Sequence, residues 1–211
     1  MTEQKQNISR FGIFLVFEGP HASGKSYFAK RLINQMSSTN LQFVYTKEPY
    51  DSKLKPIIRE LSTKRSNDPF VLFYLIAADR VLHLRKVEDL LSSGVNVISD
   101  RYIHSTEVYQ RMQGIPLKLI HHVNSLTRQP DLLFYVNTPF AVRKKRILNR
   151  NKKSKDLFYQ DAYLTLENDY YLQIKRRLMR KPYVTIVDGQ SKDDIYKIKK
   201  VIMKKLSQKS L

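Results

Sequence analysis

An α/β fold, with a five-stranded parallel sheet between two layers of helices, is predicted by three observations. Short β-rich apolar runs alternate with helical patterns along the chain. The first run leads directly into a glycine-bounded loop and then a helix, the order a phosphate-binding unit requires. No internal repeat and no long linker interrupts the 211 residues, so one domain over 1–211 is expected.

The elements follow in order. Phe11 to Phe17 is apolar except for Gly12, as a strand buried on both faces should be, and Ile13–Phe17 is its core. After the loop, Phe28, Leu32 and Ile33 recur at helical spacing. The second strand is Gln42–Thr46. FYLIAADRVLH (73–83) reads as a helix with Phe73, Ile76 and Ala77 on one stripe and Arg80 one turn beyond. Val95–Ser99, Leu132–Val136 and Val184–Val187 complete the strands. NRNKKSKD (149–156) is polar and highly charged between two helical segments, either a lid or a solvated loop. Near the C-terminus Ile195, Ile198, Ile202 and Leu206 form an apolar stripe with lysines on the other faces, the pattern of a surface helix packed on a core.

Composition narrows the classes. No apolar run approaches the ~20 residues that span a bilayer, and MTEQKQNISR lacks the apolar stretch of a signal peptide. The chain has no cysteine, which excludes disulfides and thiolate metal sites, and the cytoplasm is the expected compartment. The net charge of +19 suits either a nucleic-acid surface or an enzyme of anionic substrates. The lysines are spread along the chain, so nucleic acid and membrane are not expected as partners.

GPHASGKS (19–26) fits G-x-x-x-x-G-K followed by Ser or Thr, the phosphate loop of a P-loop NTPase fold. Gly19, Pro20, His21, Ala22, Ser23, Gly24, Lys25, Ser26 and Tyr27 are therefore the candidate ATP site. Backbone N–H groups and the next helix's N-terminus would face the phosphates. Lys25 would add charge at the transferred group, and Ser26 would ligate magnesium. VNVISDRY (95–102) puts Asp100 and Arg101 just past a strand, at the edge where such sheets bind ligands. Asp100 can hold magnesium through water, and Arg101 can fork onto a phosphate. There is no second acid after Asp100, which favours transfer to a substrate over hydrolysis. TKEP (46–49) offers Lys47 either to an acceptor phosphate or as a strand-ending turn. An arginine on the apolar side of a helix, as Arg80 is, needs an anionic or carbonyl partner. In SDRYIHSTEVYQ (99–110), Ser105, Tyr109 and Gln110 can read a sugar and a base edge.

Taken in order, FEGPHASGKS, TKEPYDS, AADRVLH, SDRYIHSTEVYQ, QPDLLFYVNTP and VDGQ resemble the thymidylate kinase family over nearly the whole chain. The resemblance implies magnesium-dependent transfer of the ATP γ-phosphate to dTMP by a homodimer. It implies Lys25 and Ser26 on ATP and metal, Asp100 on the metal, and Arg101 on the acceptor phosphate. Arg80 and Gln110 would then lie at the base and Tyr109 on the sugar. Arg143, Arg146 and Arg150 would enter a lid spanning about 143–158. Since the phosphate loop has no arginine, Arg146 or Arg150 is expected to supply catalytic charge. Other readings are a deoxynucleoside kinase or a nucleic-acid-binding P-loop ATPase. Three departures bear on rate and specificity. His21 replaces the usual acid, Lys47 replaces an arginine, and Ile76 falls where a phenylalanine normally stacks on thymine. Phe73, one turn earlier, is the expected stand-in, and a relaxed base choice would follow.

Overall fold

The structure is a computed structural model and describes residues 11–63, 68–150 and 161–209. Five strands, β1 (Phe14–Glu18), β2 (Phe43–Lys47), β3 (Asn96–Asp100), β4 (Leu132–Asn137) and β5 (Val184–Asp188), form one sheet in the order β2-β3-β1-β4-β5, and every pair is parallel. The expected strands are all present. The helices are α1 (Lys25–Met36), α2 (Leu54–Thr63), α3 (Pro69–Ser92), α4 (Ile103–Met112), α5 (Leu117–Val123), α6 (Phe140–Arg150), α7 (Asp161–Leu178) and α8 (Asp194–Gln208). No helix among the described residues is long and apolar enough to cross a membrane.

The central position of β1 explains its unbroken apolar run, since both faces are covered. Ile13, Leu15 and Phe17 pack with Phe28, Ala29 and Leu32 of α1 and Ile195, Ile198 and Ile202 of α8. Phe14 and Val16 point the other way, onto Val87 and Leu91 of α3, Val108 of α4 and Tyr171 and Ile174 of α7. The C-terminal stripe thus packs as its period requires. The long α3 begins where Asp68 accepts the Phe70 N–H at 2.8 Å and Pro69 fills a position that needs no donor.

Each strand ends one residue later than its apolar run. Glu18, Lys47, Asp100, Asn137 and Asp188 are the last ladder residues. Register aligns Lys47 and Phe17 with Asp100, Glu18 with Tyr135 and Asn137 with Asp188, so these polar ends share one edge of the sheet. A polar side chain is stable in a buried ladder only when partnered, and most of these have partners at that edge.

Candidate active site

The loop after β1 is held both by its own atoms and by side chains from other elements. Gly19 has φ 140°, and a Cβ there would meet the Val136 carbonyl oxygen at 2.5 Å, so only glycine fits. Lys25 Nζ donates to the Gly19 and Pro20 carbonyl oxygens, both at 2.7 Å. Its ammonium is buried, and that burial, with the Arg101 charge nearby, brings its pKa down to about 7 despite Asp100, Glu18 and Glu167. His21, Ala22, Gly24, Lys25, Ser26 and Tyr27 line a cavity of about 170 Å³ together with Lys47, Asp100 and Arg101. Pro20 and Ser23 shape the loop from outside that wall, Pro20 through its carbonyl and Ser23 through an N–H to Pro20 O at 3.2 Å.

Across this cavity Ser26 Oγ donates to Asp100 Oδ2, which also accepts from Tyr45 OH at 3.0 Å and lies 3.5 Å from Lys47 Nζ. Burial pushes the Asp100 carboxyl up, but Lys25, Arg101, Lys47 and the Ser26 hydroxyl outweigh it and hold it below its ordinary value. Its Oδ1 is buried without a partner among the described residues. A hydroxyl and an open carboxylate oxygen side by side are hard donors that fit magnesium completed by phosphates and water.

Arg101 follows with φ 82°, a left-handed backbone unusual for arginine. Glu18 imposes it. The buried Glu18 Oε1 accepts the Tyr102 N–H at 2.8 Å and the Ser105 N–H at 2.9 Å, while Oε2 takes the Ser105 hydroxyl at 2.9 Å and the Gly19 N–H at 3.2 Å. A carboxylate at the start of α4 satisfies donors that the helix leaves open. The turn into α4 then aims Arg101 along Ser105, Tyr109 and Tyr171, whose hydroxyls accept from Nη1 at 3.0, 3.3 and 3.4 Å.

A second cavity of about 310 Å³ adjoins the first. His21, Lys47, Glu48, Pro49, Ile58, Leu72, Ile76, Arg101, Tyr109, Gln110 and Glu167 are among its walls. His21, Lys47 and Arg101 line both cavities. A smaller recess of about 90 Å³ that shares Glu48, Pro49, Ile76, Arg101, Tyr109 and Gln110 adds Arg80, Ser105 and Thr106. Gln110 Oε1 is buried there without a partner among the described residues. Arg80 is 1% exposed, and its guanidinium is almost fully engaged. Nη2 donates to Glu48 Oε2 and Thr106 Oγ1, each at 2.6 Å, Nη1 to Asn124 Oδ1 at 2.6 Å, and Nε to Glu48 at 3.1 Å. His83 lies 3.1 Å from the same carboxylate. Asp79, beside Arg80, accepts the Tyr50 and Asp51 N–H groups at 2.8 and 2.7 Å and so pins the loop after Pro49.

The remaining expected residues divide. Phe73 is not on these walls: it is fully buried against Ile115 and Ile120, because its side of α3 faces α5, and the aliphatic wall is Ile76's instead. Arg143 is 1% exposed inside the fold, with Nη1 3.1 Å from Glu167 Oε2 and Nη2 2.7 Å from Asn168 Oδ1. Arg146 donates to the Ala22, Ser23 and Gly189 carbonyl oxygens at 3.1, 3.3 and 2.9 Å. It lines a cavity of about 240 Å³ with Gly24, Tyr27, Phe28, Gly189, Gln190, Ser191 and Lys192. A Cβ at Gly189 would meet Thr138 Oγ1 at 1.9 Å, so glycine lets the loop after β5 close on the phosphate loop. The expected lid residues 151–158 and the Arg150 side chain lie outside the described residues.

Sequence reasoning passed over Glu18, Glu48 and Asp79, each adjacent to a residue it selected. It had no signal for Glu167, a glutamate inside an ordinary helical pattern.

The family model for thymidylate kinase matches residues 17–197. The chain is similar to the probable thymidylate kinase of Methanococcus aeolicus, 32% identical over 199 residues that cover 92% of this chain and 97% of that protein. It is also similar to the probable thymidylate kinases of Methanococcus maripaludis, 33% identical over 85% of this chain and 87% of that protein, and of Methanocaldococcus jannaschii, 33% identical over 77% and 81%.

Proposed function

The chain belongs to the thymidylate kinase family, and on that premise we propose that it transfers the γ-phosphate of ATP to dTMP, giving ADP and dTDP. The observation that carries this is the shared wall. His21, Lys47 and Arg101 line both the phosphate-loop cavity and the larger cavity beside it. Two nucleotides bound there would meet phosphate to phosphate against two fixed cations.

ATP phosphates lie in the loop cavity, and the donor base lies toward Arg146, Gln190 and Lys192. Magnesium held by Ser26 and Asp100 would neutralise charge on the donor phosphates. The acceptor phosphate binds Arg101 and Lys47, its sugar passes Tyr109, and its base enters between Pro49, Ile76 and Gln110. Phosphoryl transfer asks chiefly for in-line placement and positive charge on the spreading oxygens. Lys25 and Arg101 supply that charge from opposite sides. Arg146 fastens the loop carbonyls to the loop after β5, and Arg150 is the lid arginine we assign to the transferred phosphate. Arg80 acts on the base through Glu48 and Thr106, with Nη1 keeping one N–H to offer.

We assign a homodimer contact to α3, where Phe70, Val71, Tyr74, Val81 and Leu82 are 38–53% exposed along one side. An apolar stripe of this kind suits a second copy. We propose the cytoplasm as its compartment, in keeping with the absence of cysteine from the chain.

The test is ADP formation with ATP and each of dTMP, dUMP, dGMP and thymidine. Turnover that depends on dTMP and magnesium is expected. Equal turnover of thymidine would favour a nucleoside kinase, because that reaction has no acceptor phosphate for Arg101 and Lys47. ADP formed without any acceptor would defeat the proposal.

A further inference from the structure

Glu167 has no part in the chemistry above, yet it is a fully buried carboxylate in the wall of the acceptor cavity. It comes from α7 and reaches the phosphate loop from 146 residues away. Its Oε1 accepts the His21 N–H at 2.8 Å and the Tyr109 hydroxyl at 2.7 Å. Its Oε2 accepts Arg143 Nη1 at 3.1 Å. These contacts fill three of the roughly four acceptor positions of a carboxylate. Among the described residues, the remaining one is on Oε2.

The chemistry of the walls limits what can fill it. The cavity's cationic end is Lys47 and Arg101, and its far end is aliphatic with Gln110, so phosphate and base have their places. Between them passes the sugar. Among the described residues, two carboxylates line the cavity, Glu48 and Glu167. Glu48 is saturated by Arg80 and His83. The sugar of a deoxynucleoside 5′-monophosphate carries a single hydroxyl, at the 3′ carbon, and that hydroxyl is its only sugar donor.

We propose that Glu167 is the acceptor of the substrate's 3′-hydroxyl and so a specificity residue for an unblocked deoxyribose. The inference rests on the acceptor cavity holding a nucleoside monophosphate. Arg143 Nη1 pairs with Glu167 Oε2 at 3.1 Å in a buried site, where a charge-assisted hydrogen bond is strong. Since Glu167 also holds the His21 N–H, a bound sugar and the phosphate loop share one carboxylate.

The test is a cycle between the substrate hydroxyl and the carboxylate. kcat/KM is measured for dTMP and for its 3′-deoxy analogue with the parent protein and with Glu167→Gln. The parent is expected to lose at least tenfold on removal of the hydroxyl, ~1.4 kcal/mol, and Glu167→Gln less than threefold. Glu167→Asp keeps the charge opposite Arg143 while withdrawing the oxygens, and serves if the glutamine variant does not fold. It too is expected to lose most of the discrimination. Equal loss of the hydroxyl's contribution in parent and variant would overturn the assignment and leave Glu167 as a clasp for Arg143 and the loop. A parent inactive on every monophosphate would instead fail the kinase reading on which the assignment stands.

Discussion

The two halves of the site are built in opposite ways. The phosphate loop closes on itself, with Lys25 bonded to carbonyls five and six residues back and helix α1 starting at its end. The acceptor cavity is assembled from buried ion pairs between distant elements. Glu48 meets Arg80 across 32 residues and Arg143 meets Glu167 across 24. The loop is written in a short run of residues, although Glu167, Arg143 and Arg146 also clasp it from α6 and α7. A distant pair needs the whole fold in place and leaves an uncompensated charge when one partner goes. Damage to the first should therefore fall on chemistry, and damage to the second on stability.

Removal of Lys25 makes the strongest break. Lys25→Ala should lower kcat by a thousandfold or more, about what loss of a principal charge on the transferred phosphoryl group costs. The dTMP affinity, read by calorimetry, should change only a few-fold, because the acceptor cavity does not rely on the loop's self-contacts. A matching loss of dTMP affinity would mean the halves are not separable.

Glu48→Gln breaks the other half. It leaves the Arg80 guanidinium, 1% exposed, without an anion, and should cost about 3 kcal/mol of unfolding free energy, near the low end for a broken buried pair because Asn124 and Thr106 remain as acceptors. Denaturant titration measures it. ATP affinity of the folded variant should be within a few-fold of the parent. Unchanged stability would show that Arg80 finds water or another acceptor.

Arg101 lines both cavities, so its replacement should weaken acceptor binding and chemistry together. Arg101→Lys keeps a charge but loses the planar fork and the contacts to Ser105, Tyr109 and Tyr171. A fall of about a hundredfold in kcat/KM for dTMP is expected, with a rise in KM as well as a fall in kcat. A change confined to one constant would place Arg101 in one half only.

This division also sets what could be read without the fold. The phosphate loop, Asp100, Arg101 and all five strands were legible because each is written in a contiguous stretch. The polar strand ends were not, since a residue such as Glu18 looks like the start of a loop until the N–H groups of Tyr102 and Ser105 come within reach. Arg80 was expected to be paired, but its partner could not be named because Glu48 lies on another element. Phe73 was misplaced by a single turn: α3 is buried on one side by α5 and opens to the cavity on the next, and spacing alone does not say which. Glu167 left no mark in the sequence because a helix interior accepts glutamate on any exposed face.

The mildest perturbation tests how much the aliphatic base wall decides. Pro49, Ile58, Leu72 and Ile76 give aliphatic contact area, and Tyr109 and Tyr163 bring aromatic rings to the same cavity. Thymine and uracil differ by one methyl, worth about 1 kcal/mol of apolar burial, so the parent should prefer dTMP to dUMP by no more than about tenfold. Ile76→Phe adds an aromatic face beside Gln110, worth about 0.5–1.5 kcal/mol. It should improve kcat/KM for both pyrimidines a few-fold. The added ring also takes volume from the wall, so dGMP should lose ground by a similar factor. Steady-state rates over dTMP, dUMP and dGMP for parent and variant decide it. A parent that already prefers dTMP by more than a hundredfold would mean that Gln110 and the Arg80 clamp read the base by hydrogen bonding, and that the missing ring at position 76 has little to do with the choice.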